Sequence, residues 1–214
     1  MARIVFDLDG TLVDSAPDIR AVANAVLTDE GRAPLSLAET HAFIGEGTKV
    51  FVERMRIARD IPATAQERLH DAFLPRYQGA VALTEMYDGV TDALRALKDA
   101  GHVLGLCTNK PEGPADAVLR HFGLTDLFAT RIGGDSLAQR KPDPAPLNAA
   151  FDAMGDGPRL YVGDSETDAE TADRAGVPFL LFTRGYRKSP VEALPHLASF
   201  DDWADLPAMV SDAL

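Results

Sequence analysis

The chain has 214 residues, 46% of them hydrophobic and 25% charged, the make-up of a globular protein that buries its own core as one domain or as a core with a small insertion. A formal net charge of −12 sets up a field that repels nucleic acid and anionic membrane, so neither is expected as a partner. The lone cysteine, Cys107, excludes an internal disulfide, and the first residues carry two acids and no long apolar run; together these predict a cytoplasmic protein without a signal peptide.

The first predicted element is the β-rich run Ile4-Val5-Phe6, a buried strand that stops at Asp7. From Asp18 the apolar period becomes helical. Ile19, Val22, Ala23, Val26 and Leu27 share one face, and Gly31 stands where a helix C-cap belongs. Ser36 with Glu39 has the spacing of a capping box, and so has Thr64 with Glu67. Val50, Phe51 and Met55 mark a helix between them, and Pro75 is expected to end or kink the last one. Residues 15–84 therefore read as all-helical. After Asp88-Gly89 helices and strands alternate. A helix over Val90, Leu94 and Leu97 leads to strand 103–107, helix 114–122 and a weak strand 129–132. Helix 145–154, strand 160–162, helix 166–175 and strand 179–182 follow. A Pro-punctuated stretch then closes in a short helix near 206–214. This alternation predicts an α/β fold, a parallel sheet covered on both faces, built from residues 1–14 and 85–214 with the helical block as an insertion.

Acids gather where strands end. Asp7-Leu8-Asp9-Gly10-Thr11 follows the first strand, and Gly163-Asp164-Ser165-Glu166-Thr167-Asp168 follows the fourth. Helix capping accounts for Ser165 and Glu166, but not for two strands that both deliver acids to their C-terminal ends, where open α/β sheets bind ligands. Asp7, Asp9 and Asp164 in one small space would repel one another unless a hard divalent cation, most naturally magnesium, joined them; Asp168 lies one helical turn further on. Thr108-Asn109-Lys110 ends the second strand, and Lys141 opens a Lys-Pro-Asp-Pro stretch. A hydroxyl with backbone N–H groups can hold phosphoryl oxygens, and a lysine can neutralise them.

These four elements, in this order, resemble the haloacid-dehalogenase-like hydrolase superfamily, and the resemblance covers essentially the whole chain. It implies a Rossmann-like core with the fourth strand beside the first, and a helical cap inserted after the first motif. It implies that Asp7 is the nucleophile of an aspartyl-phosphate mechanism and that Asp9 is the general acid and base. Magnesium would be held by Asp7, the Asp9 carbonyl, Asp164 and, directly or through water, Asp168. Thr108, Asn109, Lys141 and the backbone near Leu8 and Gly10 would hold the phosphoryl group. An acid two residues after the nucleophile favours phosphate-ester hydrolysis over dehalogenation, because a halide leaves without a proton.

Substrate choice then falls to the helical block. Gly45-Glu46-Gly47-Thr48-Lys49 offers a tight turn into a helix N-terminus, which suits a carboxylate. Lys49, Arg54, Arg56 and Arg59 add a basic bias that fits a solvated helix face equally well. This segment and the tail 175–186 look most like bacterial phosphoglycolate phosphatases, which implies 2-phosphoglycolate as substrate. A phosphatase or phosphomutase of another small metabolite shares every catalytic residue. A receiver-like phospho-accepting module is a further alternative, although it would not carry a helical block inside its core. The partner is expected to be a small phosphorylated metabolite, with monomer and homodimer both open.

Overall fold

In the computed structural model, which describes residues 1–213, the chain enters as β1 (Arg3–Phe6), a strand buried along its whole length. Ile4 and Phe6 point into one hydrophobic cluster and Val5 into another, as the two-residue period of a strand requires. Six parallel strands follow the order β5-β4-β1-β6-β7-β8: β4 is Val103–Cys107, β5 Thr130–Ile132, β6 Arg159–Gly163, β7 Phe179–Phe182 and β8 Ala198–Phe200. β6 therefore lies directly beside β1, with Phe6 opposite Val162, and β4 lies on the other side, with Phe6 opposite Leu106. The chain reverses its direction of growth across the sheet at β1, and a crevice opens at the strand ends there.

Helices cover both faces. α5 (Val90–Asp99), α6 (Glu112–His121) and α9 (Leu206–Asp212) pack on the side that holds Phe6, Phe182 and Trp203. α7 (Ala145–Asp152) and α8 (Glu166–Ala175) pack on the side that holds Val5, Tyr161 and Leu181. Burying one such side chain contributes about 1.5–3 kcal/mol, so a sheet buried on both faces supplies most of the drive toward this fold.

The residues between β1 and α5 form a four-helix block of α1 (Ala16–Asp29), α2 (Leu37–Phe43), α3 (Thr48–Ile57) and α4 (Gln66–Tyr77). Its hydrophobic cluster draws only on its own residues, among them Ile19, Val26, Phe51, Met55 and Phe73. The two chain crossings that join it to the sheet run side by side as a short antiparallel pair, β2 (Val13–Asp14) with β3 (Glu85–Met86). The buried Asp18 carboxylate secures this junction, since its Oδ2 accepts from Leu83 N–H at 2.9 Å and from the Thr84 hydroxyl at 2.7 Å.

Several expectations change. The Ser36–Glu39 capping box is present, but Thr64 lies inside a 3-10 turn, Ala63–Ala65, and caps nothing. Pro75 does not end its helix: α4 runs two residues past it. The apolar face Leu69, Phe73 and Tyr77 is buried, and that packing outweighs the hydrogen bond a proline forfeits. β2, β3 and β8 have no counterpart in the sequence reading. α9 ends at Asp212, and Leu214, the last residue of the expected helix, lies outside the described residues.

Candidate active site

The first motif leaves β1 in a tight loop. The N–H groups of Thr11, Leu12 and Val13 all reach the Leu8 carbonyl, and Gly10 N–H donates to Val13 at 2.8 Å. Gly10 holds φ at +86°, and a Cβ there would lie 2.5 Å from Asp164 Oδ2. Only glycine lets the loop close against the acid of the neighbouring strand. One detail of the sequence reading is thereby corrected. Gly10 contributes closeness and not a free donor, because its N–H is committed. Among the described residues the N–H groups of Leu8 and Asp9 have no backbone acceptor, so that pair is free to meet an anion.

Asp7, Asp164 and Asp168 each place a carboxylate oxygen within 4.8 Å of the others, and all three are buried. Asp164 is held by the Thr11 hydroxyl at 2.7 Å and by Tyr186 N–H at 2.6 Å. Asp168 is fully engaged. Its Oδ1 accepts from Lys141 Nζ and from the Tyr161 hydroxyl, both at 2.7 Å. Its Oδ2 accepts from Ser165 Oγ at 2.6 Å and from the N–H groups of Asp164 and Ser165. Asp168 thus caps α8 and anchors Lys141, and any part it takes in holding a cation is secondary to those duties.

Asp7 differs from both. Lys141 Nζ stands 2.9 Å from its Oδ1, but off the angle of a hydrogen bond, so this buried oxygen has no donor. Burial pushes the Asp7 carboxyl up to about 7; Lys141 opposes the shift and the Asp168 charge adds to it. Burial, followed by the charges of Asp168 and Asp7, also raises Asp164 well above the usual carboxylate range. Asp168 suffers the same burial, yet Lys141 and its hydrogen bonds hold it below that range. A shortage of positive charge at Asp7 and Asp164 is what a bound divalent cation relieves, and an all-oxygen donor set suits a hard one.

Thr108 is buried at the end of β4, and its Oγ1 accepts from Lys110 N–H at 3.2 Å, which leaves the hydroxyl hydrogen free to donate. Asn109 does not offer its side chain to a phosphate. Its amide brackets Lys141, accepting from Lys141 N–H at 3.0 Å and donating to the Lys141 carbonyl at 2.9 Å, and it also donates to the Gly45 carbonyl of the helical block at 2.9 Å. Lys141 is thus aimed by Asn109 from behind and by Asp168 and Tyr161 at its tip.

A cavity of about 260 Å³ lies between the strand ends and the helical block. Asp7, Asp9, Thr108, Lys141 and Asp164 line one side, while Gly45, Gly47 and Thr48 line the other along with Ile44 and Phe51. Lys49 is exposed and does not line it. The other three members of this basic run serve as braces: Arg54 binds Glu46 and the Phe43 carbonyl, Arg56 binds Gln66, and Arg59 binds Glu39. Half-buried and spent on partners within the block, none of the three lines the cavity. Thr48 Oγ1 pairs with His70 Nε2 at 3.0 Å.

Sequence reasoning missed the supporting residues. Tyr186 reaches back from beyond β7, and its hydroxyl meets Asp14 and the N–H groups of Ser15 and Ala16. Lys110 Nζ donates to Asp9 Oδ1 at 2.9 Å and to the Tyr77 hydroxyl at 2.6 Å. Both left a partial signal, Lys110 as the third residue of the Thr108-Asn109-Lys110 strand end and Tyr186 as the last residue of the tail 175–186, but neither was assigned a role.

Comparison with known proteins agrees with this geometry. A family model described as haloacid dehalogenase-like hydrolase matches residues 1–176. The chain is 50% identical over 213 residues to a phosphoglycolate phosphatase of Cereibacter sphaeroides, covering 98% of each chain. It is 44% identical to one of Rhodospirillum rubrum, covering 95% of this chain and 88% of that one. The crystal structure of a predicted phosphoglycolate phosphatase from Haemophilus somnus superposes with a TM-score of 0.90 at 32% identity, over 97% of this chain and 96% of that one. No helix among the described residues is long and apolar enough to cross a membrane. Sequence, sheet order and strand-end acids converge, and the chain belongs to the haloacid dehalogenase-like hydrolase family, among its phosphoric monoester hydrolases.

Proposed function

We propose that this enzyme hydrolyses 2-phosphoglycolate to glycolate and phosphate through an aspartyl-phosphate on Asp7, and that residues 15–84 act as a cap over residues 1–14 and 85–214. The observation that carries the reading is the state of Asp7. Neither of its oxygens accepts a hydrogen bond from the described residues, and only Oδ1 is among the fully buried atoms without a partner, so Oδ2 keeps access to the cavity. A carboxylate is a weak nucleophile, so position and charge neutralisation have to supply the rate.

In the first step Asp7 Oδ2 forms a bond to phosphorus as the bond to the glycolate oxygen breaks. Asp9 gives its proton to that departing oxygen. Lys141 and Thr108, with the N–H groups of Leu8 and Asp9, hold the non-bridging oxygens as charge moves in line. In the second step Asp9 takes a proton from water, the water oxygen bonds to phosphorus, and the bond to Asp7 breaks, which releases phosphate. A magnesium ion held by Asp7, Asp164 and the Asp9 carbonyl would neutralise these carboxylates together with the phosphoryl oxygens when bound.

The substrate assignment rests on the near-full-length likeness to phosphoglycolate phosphatases and on cavity size. At about 260 Å³ the space is below that of sites for drug-sized ligands, which favours a two-carbon ester over a nucleotide. The test is phosphate release from a panel of esters, with and without magnesium, beside Asp7→Asn. Preference for 2-phosphoglycolate, lost with chelator and in the variant, is expected. Preference for a sugar phosphate would replace the substrate and leave the mechanism standing.

A further inference from the structure

Asp9 carries both proton transfers proposed above, and the structure distinguishes its two oxygens. Oδ1 accepts from Ser15 Oγ and from Lys110 Nζ. Oδ2 has no donor among the described residues and is not among the fully buried unpartnered atoms, while Asp9 itself lines the cavity. An oxygen that already receives two hydrogen bonds has little capacity to carry a proton as well. The proton therefore belongs on Oδ2, the oxygen that meets the leaving group.

What keeps Asp9 in this rotamer is an unusual group. The Lys110 side chain is 1% exposed, and a buried ammonium persists only when it is paired. Asp9 Oδ1 at 2.9 Å and the Tyr77 hydroxyl at 2.6 Å supply that pairing. Tyr77 fixes the other side: its hydroxyl accepts from Nζ, and the ammonium stands 4.5 Å from the centre of its ring. Tyr77 belongs to the last turn of α4 and is buried in the core of the helical block. Ser15 immediately precedes α1. Asp9 is thus gripped from both ends of the inserted block, directly by Ser15 and through Lys110 by Tyr77.

We infer that Lys110, seated by Tyr77, is a positioning residue that pins Asp9 Oδ1 and so presents Oδ2 to the departing oxygen. This inference rests on the proposed two-step phosphatase reading. It assigns Lys110 no contact with substrate, and it predicts a defect that depends on how much the leaving group needs a proton. A nitrophenolate leaves without one, whereas the alkoxide of glycolate requires one.

The test measures kcat/KM of the full-length, magnesium-loaded enzyme on 2-phosphoglycolate and on p-nitrophenyl phosphate, for wild type, Lys110→Met, Lys110→Arg and Tyr77→Phe. Thermal unfolding of each variant confirms that it is folded. General acid catalysis is worth roughly 10²–10⁴-fold. Lys110→Met is expected to lose at least about tenfold more on the alkyl ester than on the aryl ester. Tyr77→Phe should show a smaller loss of the same selectivity, and Lys110→Arg should recover part of it. Equal losses on both esters in Lys110→Met and in Tyr77→Phe would overturn the inference and leave the phosphatase reading intact. If Lys110→Met does not fold, Tyr77→Phe decides alone by the same comparison. An Asp7→Asn control as active as wild type would overturn the phosphatase reading, and this inference with it.

Discussion

A Cβ on Gly10 would fall 2.5 Å from Asp164 Oδ2 and 2.8 Å from its carboxyl carbon, at a φ of +86°. Neither neighbour can yield cheaply, because Asp164 is pinned by Thr11 and Tyr186. Gly10→Ala is therefore expected to cost about 2 kcal/mol or more in stability from the left-handed backbone and the clash. It should also weaken magnesium binding by displacing Asp164. Urea denaturation and a magnesium titration of activity check both, and an unchanged magnesium requirement would show that Gly10 does not shape the acid cluster. The same residues mark what the sequence could reveal at this scale. Asp7, Asp9, Thr108 and Asp164 could be found because each follows a recognisable strand, and Lys141 because it opens a Lys-Pro-Asp-Pro stretch before a helix. Lys110–Tyr77 and Tyr186–Asp14 join positions 33 and 172 apart, and no local pattern encodes such a pairing. Asn109 has a further task that the sequence did not announce, since its side-chain amide braces Lys141 and is spent there.

Among the elements, the helical block is tied to the sheet by few contacts, so each can be tested separately. Asp18 receives Leu83 N–H and the Thr84 hydroxyl at the exit of the block. Asp18→Ala leaves two donors without their acceptor, at a cost of about 1–3 kcal/mol, and should speed proteolytic cleavage around residues 78–84. A loss below about 0.5 kcal/mol, the range of an inert surface change, would show that the junction is held elsewhere. The long elements were legible. The apolar face of α1 and the alternation after β3 both announced themselves by period, and five of the six strands of the main sheet were found, the three-residue β5 among them. β2, β3 and β8, two or three residues each and lying outside the strand–helix alternation, are too short to show a period. Thr64 had the right spacing for a cap, but the chain wound into a 3-10 turn first. Pro75 looked like a stop, and the burial of Tyr77 beside Lys110 carried the helix past it.

At the scale of the whole molecule, charge dominates. The chain carries −12, and its most concentrated repulsion lies where Asp7 and Asp164 converge. In the metal-free protein the Asp7 carboxyl is raised from its ordinary 3.8 to about 7. Between those values the folded state binds more protons than the unfolded one, so this group makes stability fall as pH rises from about 4 through 7. Asp164 acts in the same direction, while Asp168, held low by Lys141, acts in the opposite one. The proposed magnesium ion, held by the deprotonated cluster, would offset that loss. The gap in unfolding temperature between magnesium and chelator is thus expected to widen from pH 5 to about 7.5. A gap that is constant or narrows would place the ion away from these acids. The central claim is covalent, that the phosphoryl group passes through Asp7, and chemical trapping tests it most directly. The enzyme is quenched during turnover of 2-phosphoglycolate, treated with borohydride, which reduces an acyl phosphate to an alcohol, and digested. The account predicts reduction at Asp7 in the peptide that begins the chain, absent without substrate and absent in Asp7→Asn. Reduction at another carboxylate, or none while the wild type turns over and Asp7→Asn remains active, would contradict it.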